Sequence, residues 1–372
     1  MRWVAAVIWL CIAAPALAQS ASDAAEAARV RLGEARELLN EAETRADRIA
    51  ALTETIQAYE SGLSAMREGL RQVAIREQAI AADLAAREAE IADLLGVISA
   101  ISSAPRPLLL LHPSGPAGTA RAAMLLSEVT PGLQAEAQAL AITLDELRLL
   151  RALQDSAIDT LEDGLSGAQV AREELAVAIA DRSDLPQRFA EDPVATALLL
   201  ASAETLGGFA EGLAGTVSED FGGPVPDALG LKGSLALPVD GVILRRADEA
   251  DAAGVARPGW LVATPPRALV TAPVAGTLRY QGPLLDFGTV VILEPANGTL
   301  FVFAGLAEAY GSAGDVLPGG AAVGLMGGDV ADAQAILTES MTGAGASRSE
   351  TLYIEVREGD APVDPATWFG VE

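Results

Sequence analysis

The sequence is poor in the residues that carry most metal and thiol chemistry. Its 372 residues include one histidine, His112, and one cysteine, Cys11. Catalytic zinc takes three protein ligands, imidazoles usually among them, and a single histidine cannot supply them. The same count leaves a Ser–His–Asp set without support. Acidic residues abound, but no spacing singles out a carboxylate pair of the glycosidase kind. Gly-rich turns such as GPLLDFG carry no phosphate-loop pattern. Basic residues are also scarce, 25 Lys and Arg against 51 Asp and Glu, for a net charge of −26. Binding of nucleic acid or an anionic membrane by the whole surface is thereby excluded. Aromatics make up only 4%, a bias that suits long helices better than a compact aromatic core.

What is present begins with an export signal. Arg2 precedes an apolar stretch, Val4 to Ala14, and Ala16-Leu17-Ala18 forms an A-x-A site before Gln19, so residues 1–18 read as a cleavable signal peptide. The stretch is short for a transmembrane helix. Leu10 stands before Cys11 where a lipoprotein signal would have a small residue. Removal of the signal takes Cys11 with it and leaves no thiol to form a disulfide.

Residues 19–183 read as a helical hairpin. From Ile49, apolar residues fall at alternating steps of three and four: Leu52, Ile56, Tyr59, Leu63, Met66, Leu70 and Val73. The phase passes Glu77, returns at Ile80 and Leu84, passes Arg87 and resumes at Ile91, Leu94 and Ile98, a sustained heptad seam. At 1.5 Å per residue this run alone spans roughly 75 Å. Pro105 and Pro107 stop it. Arg121 to Val129 is a candidate short helix within a tip placed near residues 102–130. A weaker seam follows Pro131, through Leu133, Ala137, Leu140, Leu144, Leu147, Ile158, Leu161, Leu165, Ala168, Leu175 and Ile179, interrupted by Arg151, Gln154 and Arg172. Two runs joined by a Pro-rich tip suggest an antiparallel hairpin within one chain; a parallel dimer is the alternative. The tip run Leu108–Leu111 is either a local cap or a partner-binding surface.

Residues 184–232 form a joint. Pro186 and Pro193 break the helical pattern, and Val194, Leu198, Ala201, Leu206, Phe209 and Leu213 then follow a helix-like spacing weakened by Gly207 and Gly208. Gly222, Gly223, Pro224 and Pro226 mark a linker. The apolar face of this helix either packs permanently on a neighbour or serves as a removable cover, with a proline joint that moves.

From Gly233 to the end, short β-rich runs alternate with Gly and Pro turns, as in a mostly antiparallel β-domain. The expected fold class is therefore α + β: a long antiparallel coiled-coil hairpin followed by this β-domain. The succession GSLALPVDG, TAPVAGTLRYQG, DFGTVVILEPANGTLFVFAGL, GDVLPGGAAVGLMG and TLYIEVREGDAPVDPATWF resembles the LytM-type zinc endopeptidase domain, over roughly Gly233 to Phe369. The family's metal motifs are altered. Where H-x-G-x-D is expected the chain reads RPGWL, with Arg257 at the His and Leu261 at the Asp. FAGL puts Gly305 at the catalytic His of Y-x-H-L, and LYIE puts Tyr353 at the ligand of L-H-x-H. The resemblance thus implies a degenerate domain with neither metal nor cofactor, and no enzyme.

Signal, hairpin, joint helix and degenerate domain together resemble the EnvC-type murein hydrolase activators. The tip segment PRPLLLLHPSGPAGTARAAMLLSEVTP is similar as well. The resemblance implies a periplasmic adaptor of cell division, whose coiled coil is held by the membrane complex FtsEX. Its LytM groove binds N-acetylmuramoyl-L-alanine amidases under the control of a blocking helix. Carried over through the L-Y-x-E-x-R segment, the amidase contacts are Tyr353 and Arg357, with Leu278 and Phe303 placed by neighbouring motifs. Val194, Leu198, Leu206, Phe209 and Leu213 belong to the regulatory helix. An active endopeptidase with an unconventional site and a wall-binding tether are the competing readings.

Overall fold

The computed structural model describes residues 27, 29–103, 115–182, 185–221, 228–252, 254–330, 332–342 and 350–370. The signal segment, the Leu108–Leu111 run with His112, and the Gly222–Pro226 linker lie outside the described residues. The architecture is α + β, long helices and a sheet domain. Contact clustering divides it into two units: residues 1–67 with 161–372, and residues 68–160.

Three helices build the hairpin: α1 (Arg45–Ala86), α2 (Glu88–Ser103) and α3 (Gly115–Ala180). Backbone hydrogen bonds run through the single residue between α1 and α2, from Arg87 N to Asp83 O and from Ile91 N to Arg87 O. Helix α3 corrects the expected tip. It begins at Gly115 and passes through Pro131, so no break separates a short helix from the second heptad run. A proline removes one N–H and crowds the preceding turn; with four helical turns before it and many after, the helix absorbs the defect.

In the unit of residues 68–160, the two interruptions in the heptads meet. Glu77, where the first seam loses phase, accepts from Arg151 Nε at 3.0 Å and from Gln154 Nε2 at 3.0 Å, the residues that interrupt the second. Arg76 and Glu146 add an ion pair at 2.6 Å. In a hydrophobic seam a charge is tolerated when its partner arrives from the facing helix. Leu70, Ile80 and Leu94 are buried on the first strand of the seam.

The other unit joins the hairpin base to the β-domain. Leu63 and Tyr59 lie against Gly164 and Gly167 of α3; a Cβ on Gly167 would stand 2.4 Å from the Tyr59 hydroxyl. Ten strands form the main sheet: β3 (Val242–Arg245), β4 (Trp260–Thr264), β5 (Leu269–Thr271), β6 (Gly276–Pro283), β7 (Thr289–Ala296), β8 (Thr299–Ala309), β9 (Val316–Leu317), β10 (Ala322–Met326), β11 (Glu350–Glu358) and β12 (Ala361–Val363). Before them come β1 (Phe189–Glu191), α4 (Pro193–Ser202), α5 (Leu206–Gly212) and β2 (Val217–Asp220), and α6 (Ala333–Thr342) precedes β11. The order runs β3-β4-β11-β8-β7-β6-β9, with β10 joining β5 to β8 and β12 on β11; every pairing is antiparallel.

Three apolar clusters hold this unit. The largest gathers Trp260, Phe301, Phe303, Trp368 and Phe369 with Leu278, Leu352, Ile354 and Val356. A second lies on the opposite face of β11 and β8, beneath α5. The third packs Ile49, Leu52 and Ile56 of α1 and Leu175 of α3 on Leu269, Tyr310 and Leu325 of the β-domain. Inside this last contact Glu60 accepts from Arg172 at 2.8 Å and from the Leu269 backbone N–H at 2.9 Å. Burial raises the Glu60 pKa to about 6, and Arg172 opposes the rise.

Candidate functional site

The altered motif positions converge on three adjacent strands. In β11, Tyr353 pairs with Leu261 of β4 on one side and Ala304 of β8 on the other. Gly305 follows Ala304, and Arg257 lies in the loop that leads into β4, near enough to oppose the upward shift of the Tyr353 pKa. Strand alternation sends Leu352, Ile354 and Val356 into the main core and leaves Tyr353, Glu355 and Arg357 on the other face.

These residues do not suit a zinc ion. Leu261 and Gly305 bring no donor atom, and Arg257 brings a cation. The Tyr353 hydroxyl donates to Glu355 Oε2 at 2.7 Å; burial and the Glu355 charge push its pKa far up, away from the phenolate a metal would require. Gly305 has φ +95°, and a Cβ there would stand 2.7 Å from Thr351 O, so its backbone is ill-suited to any side chain, imidazole included. Among the described residues no three His, Cys, Asp or Glu side chains cluster as metal ligands. The face offers instead a row of polar groups: Tyr353, Glu355, and Arg357, whose Nη1 donates to Glu355 Oε1 at 2.9 Å and whose Nη2 donates to Asp360 O at 2.7 Å.

A helical segment lies over this row. The spacing from Val194 to Leu213 predicts one helix, but the structure has two. Asp192 caps α4, accepting from Val194 N and Ala195 N. Thr205 caps α5, accepting from Gly208 N at 3.0 Å. Each cap satisfies amide donors at a helix start, so a chain with two caps starts twice. Leu206, Phe209 and Leu213 are buried in the second cluster with Tyr280, Val290, Ile292, Val302 and Tyr353. Phe209 meets Tyr280 edge-on at 4.7 Å between centroids. Val194 and Leu198, expected on the covering face, are 77% and 69% exposed and face away; the break after α4 changes the phase of the helix they belong to. Gly207 passes so close to Arg357 that a Cβ would lie 3.3 Å from both terminal nitrogens. Glu211 reaches Arg357 at 3.7 Å from a half-exposed position.

Tyr353 and Arg357, on a strand that alternates like one with a solvated face, are thus 6% and 5% exposed. Leu278 and Phe303 do not belong to this surface. Both are fully buried in the main core, because their parity along β6 and β8 points them to the opposite face. Glu355 was legible as the E of L-Y-x-E-x-R but carried no assigned role. Glu211 and Tyr280 offered no sequence signal.

No family model matches the chain, and no curated protein matches it. Similarity appears among solved structures. One is a putative M23 peptidase from Pseudomonas aeruginosa: 23% identity over 44% of this chain and 59% of that one, TM-score 0.31. Helicobacter pylori Csd3 gives 19% identity over 37% of this chain and 35% of that one, TM-score 0.28. The SpoIIQ–SpoIIIAH pore forming complex gives 19% identity over 36% of this chain and 90% of that one, TM-score 0.28. The β-domain is similar to M23-type, LytM-like peptidase domains. The chain spans about a third to three-fifths of the first two. Nothing about activity follows from scores this low.

Proposed function

We propose that the chain is a periplasmic activator of peptidoglycan amidases in cell division, acting by recognition rather than hydrolysis. The face of β4, β11 and β8 is its amidase-binding surface, with Tyr353 and Arg357 as contacts. Helices α4 and α5 form an autoinhibitory cover, and the coiled-coil hairpin engages FtsEX. One observation carries this reading: at the positions where the related peptidases hold their metal, this chain has a donor-poor face closed by its own segment. Tyr and Arg are among the side chains that most often anchor interfaces, and both are sequestered here. A cover that a partner can lift is held by only a few kcal/mol. A short α5 with one apolar stripe and a screened, half-exposed ion pair is consistent with such a grip.

The test replaces Pro193–Leu213 in the full chain with a Gly/Ser linker. The variant is expected to stimulate a purified amidase on peptidoglycan without FtsEX, while the wild type stays silent. No gain rules out the cover. Retention on sacculi with no affinity for amidase would favour a wall tether instead.

A further inference from the structure

The cover is fastened at its root as well as by its apolar face. Strands β1 and β2 flank it and pair with each other, Phe189 with Asp220 and Ala190 with Glu219. Strand β1 and the residues before it are in turn stitched to one loop of the β-domain. Arg188 N donates to Gly314 O at 2.9 Å, Val316 N donates to Pro186 O at 2.9 Å, and Gln187 forms an antiparallel bridge with Asp315. Arg188 pairs with Glu294 at 2.6 Å, and Arg279, 3.7 Å from the same carboxylate, lies over the Phe189 ring at 4.6 Å. The loop is shaped for this contact: Gly314 has φ +97°, and a Cβ on it would stand 2.0 Å from Phe189 O.

The proline joint is therefore bracketed by attachments. Upstream, the hairpin base is held on the β-domain through Leu175, Leu52 and the Glu60–Arg172–Leu269 contact. Downstream, Pro186 itself is bonded to Val316. A hinge between two points fixed to the same body moves nothing, so the expectation that movement at the joint uncovers the face needs revision. The seam between β1 and the 314–316 loop is different in kind. Apart from Phe189 it consists of backbone bonds and ion pairs, which water can replace when they part. Residues 222–227, beyond β2, leave the far root of the flap attached only by a linker rich in Gly and Pro.

We infer that the face is uncovered by peeling β1 from the Gly314–Val316 loop, so that β1, α4, α5 and β2 leave as one flap and this seam is the release point. The inference rests on the reading of α4 and α5 as a cover. Its test is a reversible lock in the full chain, with Cys11→Ser to leave no other thiol. Gln187→Cys and Asp315→Cys place two cysteines at facing positions of an antiparallel bridge, where the Cα separation is right for a disulfide. Hydrogen exchange is followed in peptides covering residues 206–213 and 353–357. Oxidation is expected to slow exchange there by about tenfold or more, reversed by reductant. Equal exchange in both redox states would overturn the inference. Gly314→Ala is the opposite perturbation: faster exchange in residues 206–213, with the β7 and β8 peptides unchanged, supports the seam, and unaltered exchange counts against it. Neither readout involves an amidase. A flap that behaves this way in a protein that stimulates no amidase, even with the cover replaced, would refute the activator reading and leave the seam standing.

Discussion

Tyr353 occupies a position where related peptidases place a metal ligand, and its hydroxyl is already engaged by Glu355. The site has changed in more than side-chain identity, because the backbone at Gly305 has also moved into the left-handed region. Restoring imidazole at that one position should therefore fail. Gly305→His is expected to bind no zinc in equilibrium dialysis and to lose about 1–3 kcal/mol of stability in urea unfolding. At Glu60 the chemistry is that of a buried charge held by two partners. Its pKa of about 6 lies above the ordinary 4.5. A raised folded-state value means that the stabilising contribution is full below 4.5 and is lost as pH rises through 6. Relative to Glu60→Gln, the wild type should then gain about 2 kcal/mol between pH 7.5 and pH 4.5. Urea unfolding of both proteins at the two pH values measures this gap. At this scale the sequence was legible where a motif supplied the address, as at Tyr353, Arg357 and Gly305. It was not legible where the partner is distant in the chain: nothing near Glu60 announces Leu269, 209 residues away.

Among elements, the hairpin shows how a defect in a pattern can be informative. Glu77, Arg151 and Gln154 each break a heptad, and the structure brings all three together. Pro131 misled for the opposite reason, since a local breaker does not end a helix with long, strong flanks. The cover was half legible. Leu206, Phe209 and Leu213 were correctly marked as an apolar stripe, but periodicity alone could not place the second N-cap at Thr205, and so it put Val194 and Leu198 on the wrong face. Strands β1 and β2 are three and four residues long, too short for alternation to register. Phe209 is the strongest apolar anchor of the cover, fully buried against Tyr280. Phe209→Ala should cost the closed state about 3 kcal/mol, enough to raise the open population roughly 100-fold. The expected result is amidase stimulation without FtsEX by a chain that keeps its β-sheet circular dichroism. A stable but silent variant would count against the grip assigned to α5.

For the whole molecule, composition excluded classes of function and topology then narrowed the remainder. One histidine among 372 residues, a net charge of −26 and aromatics concentrated in the β-domain core leave little room for metal or nucleic-acid chemistry. The fold class followed from two periodicities, heptads first and short alternating strands after Gly233. What the pattern could not give was the closure of the polar face by the chain's own segment, because that depends on contacts between residues more than a hundred positions apart. The account as a whole claims that this chain recognises an enzyme and does not replace one. The most direct measurement is muropeptide release from purified sacculi, by the full chain with Pro193–Leu213 replaced by a Gly/Ser linker, in added zinc, with and without a purified amidase. The account predicts no release by the chain alone and faster release when amidase is present. Zinc-dependent release by the chain alone would contradict it.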